Sequence, residues 1–465
     1  MPDWKLKKQI LQAMSLLLVL CGVLGIYVIY LSTVKAEEAV ENPLNHRMAA
    51  AQDDIIRGSI KTADGEILAE TTPEGKRLYP WGEAAAVVTG YNGEKIGGAG
   101  LEAHRNIDLL GSSADLNRLG PLAQLFQSPR GNDIETTIDS RAQRAAYEAL
   151  EGSRGAVVVL DARTGAILAM ASTPTYDPNH IEEDWQGLKG AEESPLLNRT
   201  VQGMYPPGST IKPLVAEAAL GEGITDEKEI FDCQGALELQ DGSSIREYHG
   251  EVHGRVNLEQ AMAESCNVTF GSLGLRLGGK KLHKAFEAFG FNQELGGEIV
   301  MAKSHLPDFE KLGQGDLAQS AIGQASLLVT PLHMALMASG FANSGDIMKP
   351  YLVQKVISPK GIVLESARPA KWRSAMDPSL AAVIDAYMEQ VVKSGTGTAA
   401  SVKGVRVTGK TGTAENSSGQ DHAWFIGSAQ LPKRKIAFGI IVENGGSGGR
   451  TAAPIARQII QSMLS

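Results

Sequence analysis

The sequence predicts an α+β fold, in which an antiparallel sheet is covered by helices and one membrane-spanning helix lies ahead of it. Three observations support this prediction. An uncharged apolar run stands near the N-terminus, a long helical region separates two apolar strands from three later strands, and a final helix follows them. Because short strands separated by turn residues pair readily with one another, this order favours one antiparallel sheet that carries a helical insertion.

Composition limits the classes of protein to which the chain can belong. Its 465 residues exceed one core at the usual ~100–200 residues per domain, so two or three units are expected. With 43% hydrophobic and 21% charged residues, the chain is not wholly disordered. Its 44 basic and 53 acidic residues give a net charge of -9, which argues against a nucleic-acid partner. Three cysteines, Cys21, Cys233 and Cys266, exclude a disulfide scaffold and offer no paired CxxC metal site.

The apolar run covers residues 13–31 and contains no charged side chain. At about 1.5 Å per residue, it matches the ~30 Å hydrocarbon core of a bilayer. Three lysines at residues 5–8 precede the run and three glutamates at residues 37–41 follow it, so the N-terminus is expected in the cytoplasm and the remainder outside. The alternatives are a buried core helix and a cleaved signal peptide, for which Val34-Lys35-Ala36 is a poor cleavage site. We therefore expect an uncleaved signal-anchor helix.

The chain divides into four expected regions: a tail (1–12), a transmembrane signal-anchor helix (13–34), a small stalk domain (35–139) and a larger domain (140–465). In the stalk, residues 60–68 predict a hairpin with Asp64-Gly65 as its turn, and residues 112–131 resemble a connection. In the larger domain, helices are predicted over 141–150, 331–342, 378–393 and 452–464, and strands over 156–160, 166–170, 405–412, 423–429 and 436–443.

The first candidate site pairs Ser209 with Lys212 after a Pro-Pro-Gly turn, at the start of a helix predicted over residues 212–220. Residues three apart share a helix face, so Lys212 is expected beside the Ser209 hydroxyl. A serine hydroxyl needs an adjacent base to act as a nucleophile, and a desolvated lysine can lose its proton near neutral pH. Taken alone, Ser209 is also interpretable as a helix cap, and STVK at residues 32–35 repeats the spacing at the membrane edge.

The second candidate site is Ser265-Cys266-Asn267, at the joint between helices predicted over residues 258–264 and 268–277. A hydroxyl at this joint can relay a proton, and the amide can hold a peptide group of a substrate. A polar turn between helices is the simpler interpretation of the motif alone. Cys266 is expected to be packed filler and not a nucleophile, since no base is identifiable beside it.

The third candidate site is Lys410-Thr411-Gly412-Thr413, within a predicted strand. The string from Gly404 to Thr411 also matches GxxxxGK[ST], so an ATP-binding loop is an alternative. Such a loop should precede a helix, whereas here β-branched residues suit a strand and a loop to another strand follows. A near copy, KSGT at residues 393–396, is interpreted as the end of the preceding helix.

The three motifs in this order, on an exported chain, match the motif set of penicillin-binding proteins and serine β-lactamases. The chain resembles the class B penicillin-binding proteins, which are monofunctional peptidoglycan D,D-transpeptidases, and among them the compact penicillin-binding protein A type. The strings that carry the resemblance include RGSI at 57–60, YDPN at 176–179, YPPGST at 205–210 and GKTGTAE at 409–415. One departure is Gly323-Gln324-Ala325, where the family often has a second glycine. The resemblance implies a five-stranded antiparallel sheet, with helices on both faces and a helical insertion.

The resemblance also implies roles for individual residues. Ser209 attacks the D-Ala–D-Ala carbonyl, Lys212 is its base, and Ser265 passes the proton toward the leaving amine. The implied substrate-binding set is Asn267 for the donor peptide, Lys410 for its terminal carboxylate, and Thr411, Gly412 and Thr413 along the strand, with the backbone N–H groups of Ser209 and Thr413 as the oxyanion hole. An amine of a neighbouring stem peptide then resolves the acyl-enzyme, and β-lactams trap Ser209 by mimicking the donor.

Three other functions use the same site. They are a D,D-carboxypeptidase, a catalytically idle penicillin-binding sensor, and a serine β-lactamase with an extra base among Glu182, Glu183, Glu192 and Glu193. The implied partners are peptidoglycan stem peptides on strands derived from lipid II, β-lactams as inhibitors, the membrane and a SEDS-type glycosyltransferase. No metal, cofactor or nucleic acid is expected. The implied location is the membrane of a bacterium of the Gram-positive type, with the larger domain outside.

Overall fold

A computed structural model describes residues 3–33, 55–111, 130–296, 299–416 and 419–464. The first range is a single helix, α1 (Asp3–Thr33), which begins earlier than the predicted span. Its segment Lys7–Val28 is long and apolar enough to cross a membrane, and none of this segment is buried within the protein. The predicted end of the anchor at residue 34, the tether after it and most of the 112–131 connection lie outside the described residues.

The remaining elements alternate short strands with helices. Within the described ranges the strands are β1 (Ile60–Lys61), β2 (Ile67–Thr71), β3 (Arg77–Leu78), β4 (Asn92–Gly93), β5 (Gly97–Gly98), β6 (Asp133–Thr136), β7 (Gly155–Asp161), β8 (Ile167–Thr173), β9 (Phe231–Cys233), β10 (Ala236–Glu238), β11 (Ser244–Arg246), β12 (Gly254–Val256), β13 (Asp346–Met348), β14 (Val353–Ile357), β15 (Val363–Ser366), β16 (Lys371–Ser374), β17 (Arg406–Ala414), β18 (His422–Gln430) and β19 (Lys435–Val442). The helices after α1 are α2 (Ala86–Thr89), α3 (Gly100–His104), α4 (Asn106–Leu109), α5 (Ser140–Glu148), α6 (Ile181–Gly190), α7 (Lys212–Gly221), α8 (Leu258–Ala263), α9 (Asn267–Ala288), α10 (Gln314–Ala321), α11 (Pro331–Ala342), α12 (Pro378–Lys393) and α13 (Gly448–Ser462).

Five strands form the central antiparallel sheet, in the order β17-β18-β19-β7-β8. The predicted fold class is therefore confirmed, and each strand begins and ends within three residues of its predicted bounds. Strand β8 continues to Thr173 because its ladder with β7 runs on to Gly155. Among the described strands, β17 lies at the edge of this sheet and pairs with β18 alone. Its other backbone edge is therefore free to face a ligand.

Alternate side chains of the central sheet are buried on opposite faces. In β7, Val157 and Val159 join the apolar cluster that includes α5 and α13, whereas Val158 and Leu160 join the cluster that includes α7, α9 and α11. This is the two-residue period of a strand whose faces are both covered. The helices on both faces hold the sheet as a rigid frame for the loops at its edge.

A second sheet connects the stalk to the larger domain. Its order is β15-β14-β6-β1-β2-β3, so two strands from beyond residue 140 complete a sheet that stalk residues begin. The predicted hairpin is present, since β1 pairs antiparallel with β2 and Gly65 has the left-handed φ of 92° that its turn needs. Beside it, the buried Glu102 carboxylate accepts hydrogen bonds from Arg57 at 2.6 Å and Arg77 at 2.7 Å. Two separate regions of sequence therefore build the stalk.

The helical insertion contains a sharp joint between α8 and α9. Helix α8 opens with a capping box, in which Asn257 and Gln260 each accept the other's backbone N–H. Helix α9 begins at Asn267 and is interrupted at Gly278, which has φ 72° and ψ 164°. The helix end predicted near residue 277 is thus a break, after which the helix resumes and continues to Ala288.

Candidate active site

The three predicted motifs meet at one cleft of about 920 Å³. Its walls include Ser209, Ser265, Asn267, Thr411 and Thr413. These residues come from the start of α7, the joint between α8 and α9, and the edge strand β17. The structure therefore brings together motifs that stand more than fifty residues apart in sequence.

Ser209 lies in a 3-10 turn, Gly208–Ile211, directly before α7. Gly208 has φ 53°, and a Cβ built on it would lie 2.8 Å from the carbonyl oxygen of Thr413. Glycine is therefore required for this close approach of the turn to β17. Gly208 also donates its N–H to the carbonyl of Gly323 at 2.9 Å, and the Trp424 indole donates to the carbonyl of Pro206 at 3.0 Å. These contacts hold Ser209 half-buried at the cleft, beside the backbone of β17.

Lys212 is fully buried on the first turn of α7. Its Nζ donates to the Ser265 carbonyl at 2.5 Å, to Asn267 Oδ1 at 2.7 Å and to Ser265 Oγ at 3.2 Å. The Ser209 hydroxyl makes no hydrogen bond within the part of the chain that the structure describes. Burial lowers the pKa of Lys212 to about 7, although the charge of Glu247 opposes this shift. A substantial fraction of Lys212 is therefore neutral near physiological pH and able to accept a proton.

Lys410 is also fully buried and approaches the same serine from β17. Its Nζ donates to Ser265 Oγ at 2.8 Å and to the Thr411 carbonyl at 3.0 Å. Burial, reinforced by the neighbouring Lys212, holds the pKa of Lys410 well below its ordinary value. Ser265 itself has φ 60°, a left-handed conformation that is uncommon for a residue with a side chain. The Ser265 hydroxyl therefore stands between two lysine amines at a strained point of the backbone.

Asn267 is the first residue of α9 and lines the cleft. Its Oδ1 accepts from Lys212, and its Nδ2 donates to the carbonyl of Arg246 at 2.8 Å. These two bonds fix the orientation of the amide. The predicted Ser-x-Asn motif is thus bound to both the α7 lysine and the end of β11.

The third motif lies inside β17, not in a loop before a helix, so its position does not fit the ATP-binding alternative. A Cβ added to Gly412 would lie 2.8 Å from Thr210 Cγ2, so this glycine lets the serine turn pack on the strand. Thr411 and Thr413 both line the cleft. The Thr411 hydroxyl lies 2.6 Å from that of Thr396, which belongs to the near copy interpreted as a helix end. Helix α12 does end at Lys393, but Thr396 also lines the cleft, a position that the sequence did not predict.

The expected role of Cys266 as packed filler needs a correction. It is fully buried, but its sulfur forms a disulfide with Cys233, 33 residues earlier on β9. Cys233, Glu247, His253 and Cys266 each place one potential ligand atom within 4.8 Å of the others. In this disulfide state neither sulfur is a thiolate, which is the form in which cysteine binds a metal ion. The expected position of the larger domain outside the membrane, in an oxidising environment, was the signal in the sequence for such a pairing.

A buried ion pair supports the segment that leads to Ser209. The Glu443 carboxylate accepts from Arg199 Nε at 2.7 Å and from the Tyr205 hydroxyl at 2.8 Å. Arg199 also donates to the carbonyls of Ser194 and Pro174 at 3.1 and 3.4 Å. The string YPPGST contains Tyr205, but the sequence pattern did not predict this partner at the end of β19. The pairing joins the segment before α7 to the central sheet.

Models of two known protein families together match most of the chain. Residues 155–461 match the model of the penicillin binding protein transpeptidase domain, and residues 57–134 match that of the penicillin binding protein A dimerisation domain. The peptidoglycan D,D-transpeptidase PbpA of Mycolicibacterium smegmatis is 34% identical over 458 residues, which cover 91% of this chain and 92% of that protein.

Solved structures give the same result. The imipenem acyl-enzyme complex of penicillin-binding protein A from M. tuberculosis superposes with a TM-score of 0.83 at 32% identity, covering 89% of this chain and 100% of that one. The penicillin G acyl-enzyme complex of the same protein has a TM-score of 0.80 at 32% identity, covering 88% and 100%. Both structures are acyl-enzyme complexes, in which that protein carries a covalently attached β-lactam.

Two neighbouring positions test how tightly the serine turn is held. A Cβ at Gly323 would lie 1.9 Å from the carbonyl oxygen of Gly208, and Gly323 has φ 82°. We expect Gly323→Ala to lower the free energy of unfolding by at least about 2 kcal/mol.

Ala325, where the family often has glycine, is exposed with φ 62°. Ala325→Gly should instead raise stability by about 0.5–1 kcal/mol, because relief of the left-handed strain exceeds the added chain entropy.

Thermal unfolding of the two variants beside the unsubstituted protein makes this comparison. An unchanged midpoint for Gly323→Ala would contradict the close packing of the Gly208 turn on residue 323. A lower midpoint for Ala325→Gly would contradict the strain assigned to Ala325.

Proposed function

Because the chain belongs to the penicillin-binding protein transpeptidase family, we propose that Ser209 is the nucleophile of a peptidoglycan D,D-transpeptidase that β-lactams acylate. The observation that carries this proposal is the meeting of Lys212 and Lys410 on the Ser265 hydroxyl, at a cleft that Ser209 also lines. A general base must be neutral to accept a proton, and burial provides a lysine in that state.

Acylation follows from the positions of these groups. Neutral Lys212 removes the proton of the Ser209 hydroxyl, and Ser209 Oγ adds to the carbonyl between the last two D-Ala residues of the donor peptide. The bond to the terminal D-Ala then breaks, and the proton held by Lys212 passes through the Ser265 hydroxyl to the leaving amine. The backbone N–H groups of Ser209 and Thr413 stabilise the oxyanion, and one such donor contributes about 2.7–4 kcal/mol in a comparable serine enzyme.

Donor recognition uses the remaining predicted residues. Asn267 presents an oriented amide to the peptide, and Thr411, Gly412 and Thr413 offer the free edge of β17. Burial lowers the pKa of Lys410, and an incoming carboxylate would favour the charged form of this lysine because opposite charges raise the pKa of an amine. An amine from a second stem peptide then attacks the acyl-enzyme and restores Ser209.

A β-lactamase would need a further base that activates water. Of the four glutamates considered for this role, Glu182 accepts the backbone N–H of Lys95 in the stalk. None of the four lines the cleft among the described residues. A D,D-carboxypeptidase would use the same acylation machinery, so the two functions are separated by the acceptor and not by the nucleophile.

The membrane arrangement belongs to the same proposal. The apolar helix α1 anchors the protein in the membrane. The lysines at its N-terminal end favour a cytoplasmic N-terminus, with the cleft outside. The resemblance to the compact penicillin-binding protein A type favours a bacterium of the Gram-positive type. A SEDS-type glycosyltransferase is the proposed membrane partner, with α1 and the stalk as the contact regions.

Covalent labelling tests the nucleophile. The full chain in detergent should retain a fluorescent penicillin stably, and Ser209→Ala should lose all labelling while the exposed control Ser401→Ala keeps it. Unchanged labelling of Ser209→Ala would contradict the assignment, and label that turns over within seconds would indicate a β-lactamase. A stem-peptide donor with an amine acceptor should give cross-linked product by mass, whereas hydrolysis alone would indicate a carboxypeptidase.

Photo-crosslinking tests the proposed partner, and protease treatment of cells tests the orientation. Photoreactive residues introduced between positions 10 and 110 in cells should capture a polytopic glycosyltransferase. Capture of no such protein would contradict the proposed partner.

Protease treatment of spheroplasts should remove the larger domain and spare the N-terminal tail, and the reverse pattern would contradict the orientation.

A further inference from the structure

Glu247 is a buried carboxylate that the proposed chemistry leaves without a role. It follows β11 directly and is 6% exposed. Its Oε2 accepts the backbone N–H of Asn267 at 2.9 Å, and its Oε1 accepts the N–H of Val268 at 2.7 Å. A carboxylate that accepts the free N–H groups of a helix start stabilises that start through both the hydrogen bonds and the helix dipole.

The position of Glu247 is itself fixed by its surroundings. Its backbone N–H donates to the carbonyl of Gly235 at 3.0 Å, which anchors it to the β9–β10 turn. Its Oε1 lies 3.1 Å from the sulfurs of both Cys233 and Cys266. Among the described residues, the basic side chain within ion-pair distance is His253, whose Nδ1 lies 3.9 Å from Oε2. No arginine or lysine there forms an ion pair with the carboxylate, so its charge acts on the helix start and on the site beyond it.

The groups facing Lys212 come from three elements. The joint before α9 contributes the Ser265 oxygens, and α9 itself contributes the Asn267 oxygen. Strand β17 contributes the amine of Lys410 on the far side of the Ser265 hydroxyl. The Phe270 ring on α9 lies 5.5 Å from Lys212 Nζ. Glu247 is the carboxylate that acts on Lys212, and it opposes the lowering of the pKa of this amine that burial causes.

We propose that Glu247 is a positioning residue for the reaction, which fixes the first turn of α9 so that Asn267 and Ser265 hold Lys212, and which places the carboxylate charge that acts on that amine. This proposal rests on the proposed role of Lys212 as the base. It assigns two separable contributions to one side chain: the reach of its two oxygens to the helix start, and its negative charge.

Two substitutions separate those contributions. Glu247→Gln keeps the size of the side chain but removes the charge and can satisfy only one of the two N–H groups. Without the charge, the pKa of Lys212 falls further, so the acid limb of the pH profile for acylation should move to lower pH by about half a unit or more. Glu247→Asp keeps the charge but shortens the side chain, so the limb should stay while the plateau rate falls about tenfold.

The measurement is the rate of acylation of the full chain by a fluorescent penicillin between pH 5 and 9. Glu238→Gln, an exposed substitution on β10, is the matched control and should leave both the limb and the plateau unchanged. Circular dichroism and the thermal midpoint report whether each variant is folded. An increase in the penicillin concentration needed for half-maximal rate, without a change in plateau, would indicate a binding role and would overturn the proposal.

The remaining outcomes are also decisive. A Glu247→Gln variant that is slower at every pH with an unshifted limb would make Glu247 purely structural and overturn the charge assignment. A Glu247→Asp variant at the wild-type rate would overturn the positional one. If the unsubstituted protein shows no acid limb, the role of Lys212 as the base fails and the role of Glu247 fails with it. An acid limb that is present but that Glu247→Gln leaves unshifted overturns the charge assignment of Glu247 alone, so the two failures are distinguishable.

Discussion

Two lysine amines, both removed from water, share one serine hydroxyl, and the rest of the site is arranged around that constraint. Burial of a charged amine is costly, and two amines near one another cannot both remain protonated at little cost. The protein meets this constraint by giving Lys212 three oxygen partners and Lys410 two, and by lowering the pKa of both. Desolvation, which would make a charged lysine destabilising in an ordinary core, thus supplies a neutral base in the cleft.

The scaffold holds this arrangement through close backbone contacts. The turn that carries Ser209 touches β17 at Gly208 and Gly412, where no larger side chain would fit. Strand β17 is an edge strand, so its free backbone faces the cleft and not another strand. Helices on both faces of the sheet fix the frame, and the left-handed Ser265 carries backbone strain at the point where the two amines meet. The packed sheet and its helices therefore hold the residues of the site in position.

The sequence predicted what depends on local pattern. The five central strands, the helix after Ser209 and the joint at Ser265-Cys266-Asn267 follow from strand periodicity and helix boundaries, and the structure contains them all. Contacts between distant segments were beyond such patterns. The Cys233–Cys266 disulfide, the capping of α9 by Glu247, the contact of Thr396 with Thr411 and the stalk sheet completed by β14 and β15 all join residues far apart in the chain. A residue such as Glu247, which contacts other groups of the protein and not a substrate, belongs to no recognisable sequence motif.

A direct measurement of the protonation of Lys212 tests the central claim of a neutral buried base. Carbon-13 NMR of the lysine Cε signals in the full chain, with Lys212 assigned from the signal missing in Lys212→Arg, gives its titration curve. The account predicts a midpoint near pH 7, about three units below the ordinary lysine value. A midpoint above pH 9 would show that Lys212 stays protonated at neutral pH and would contradict the account.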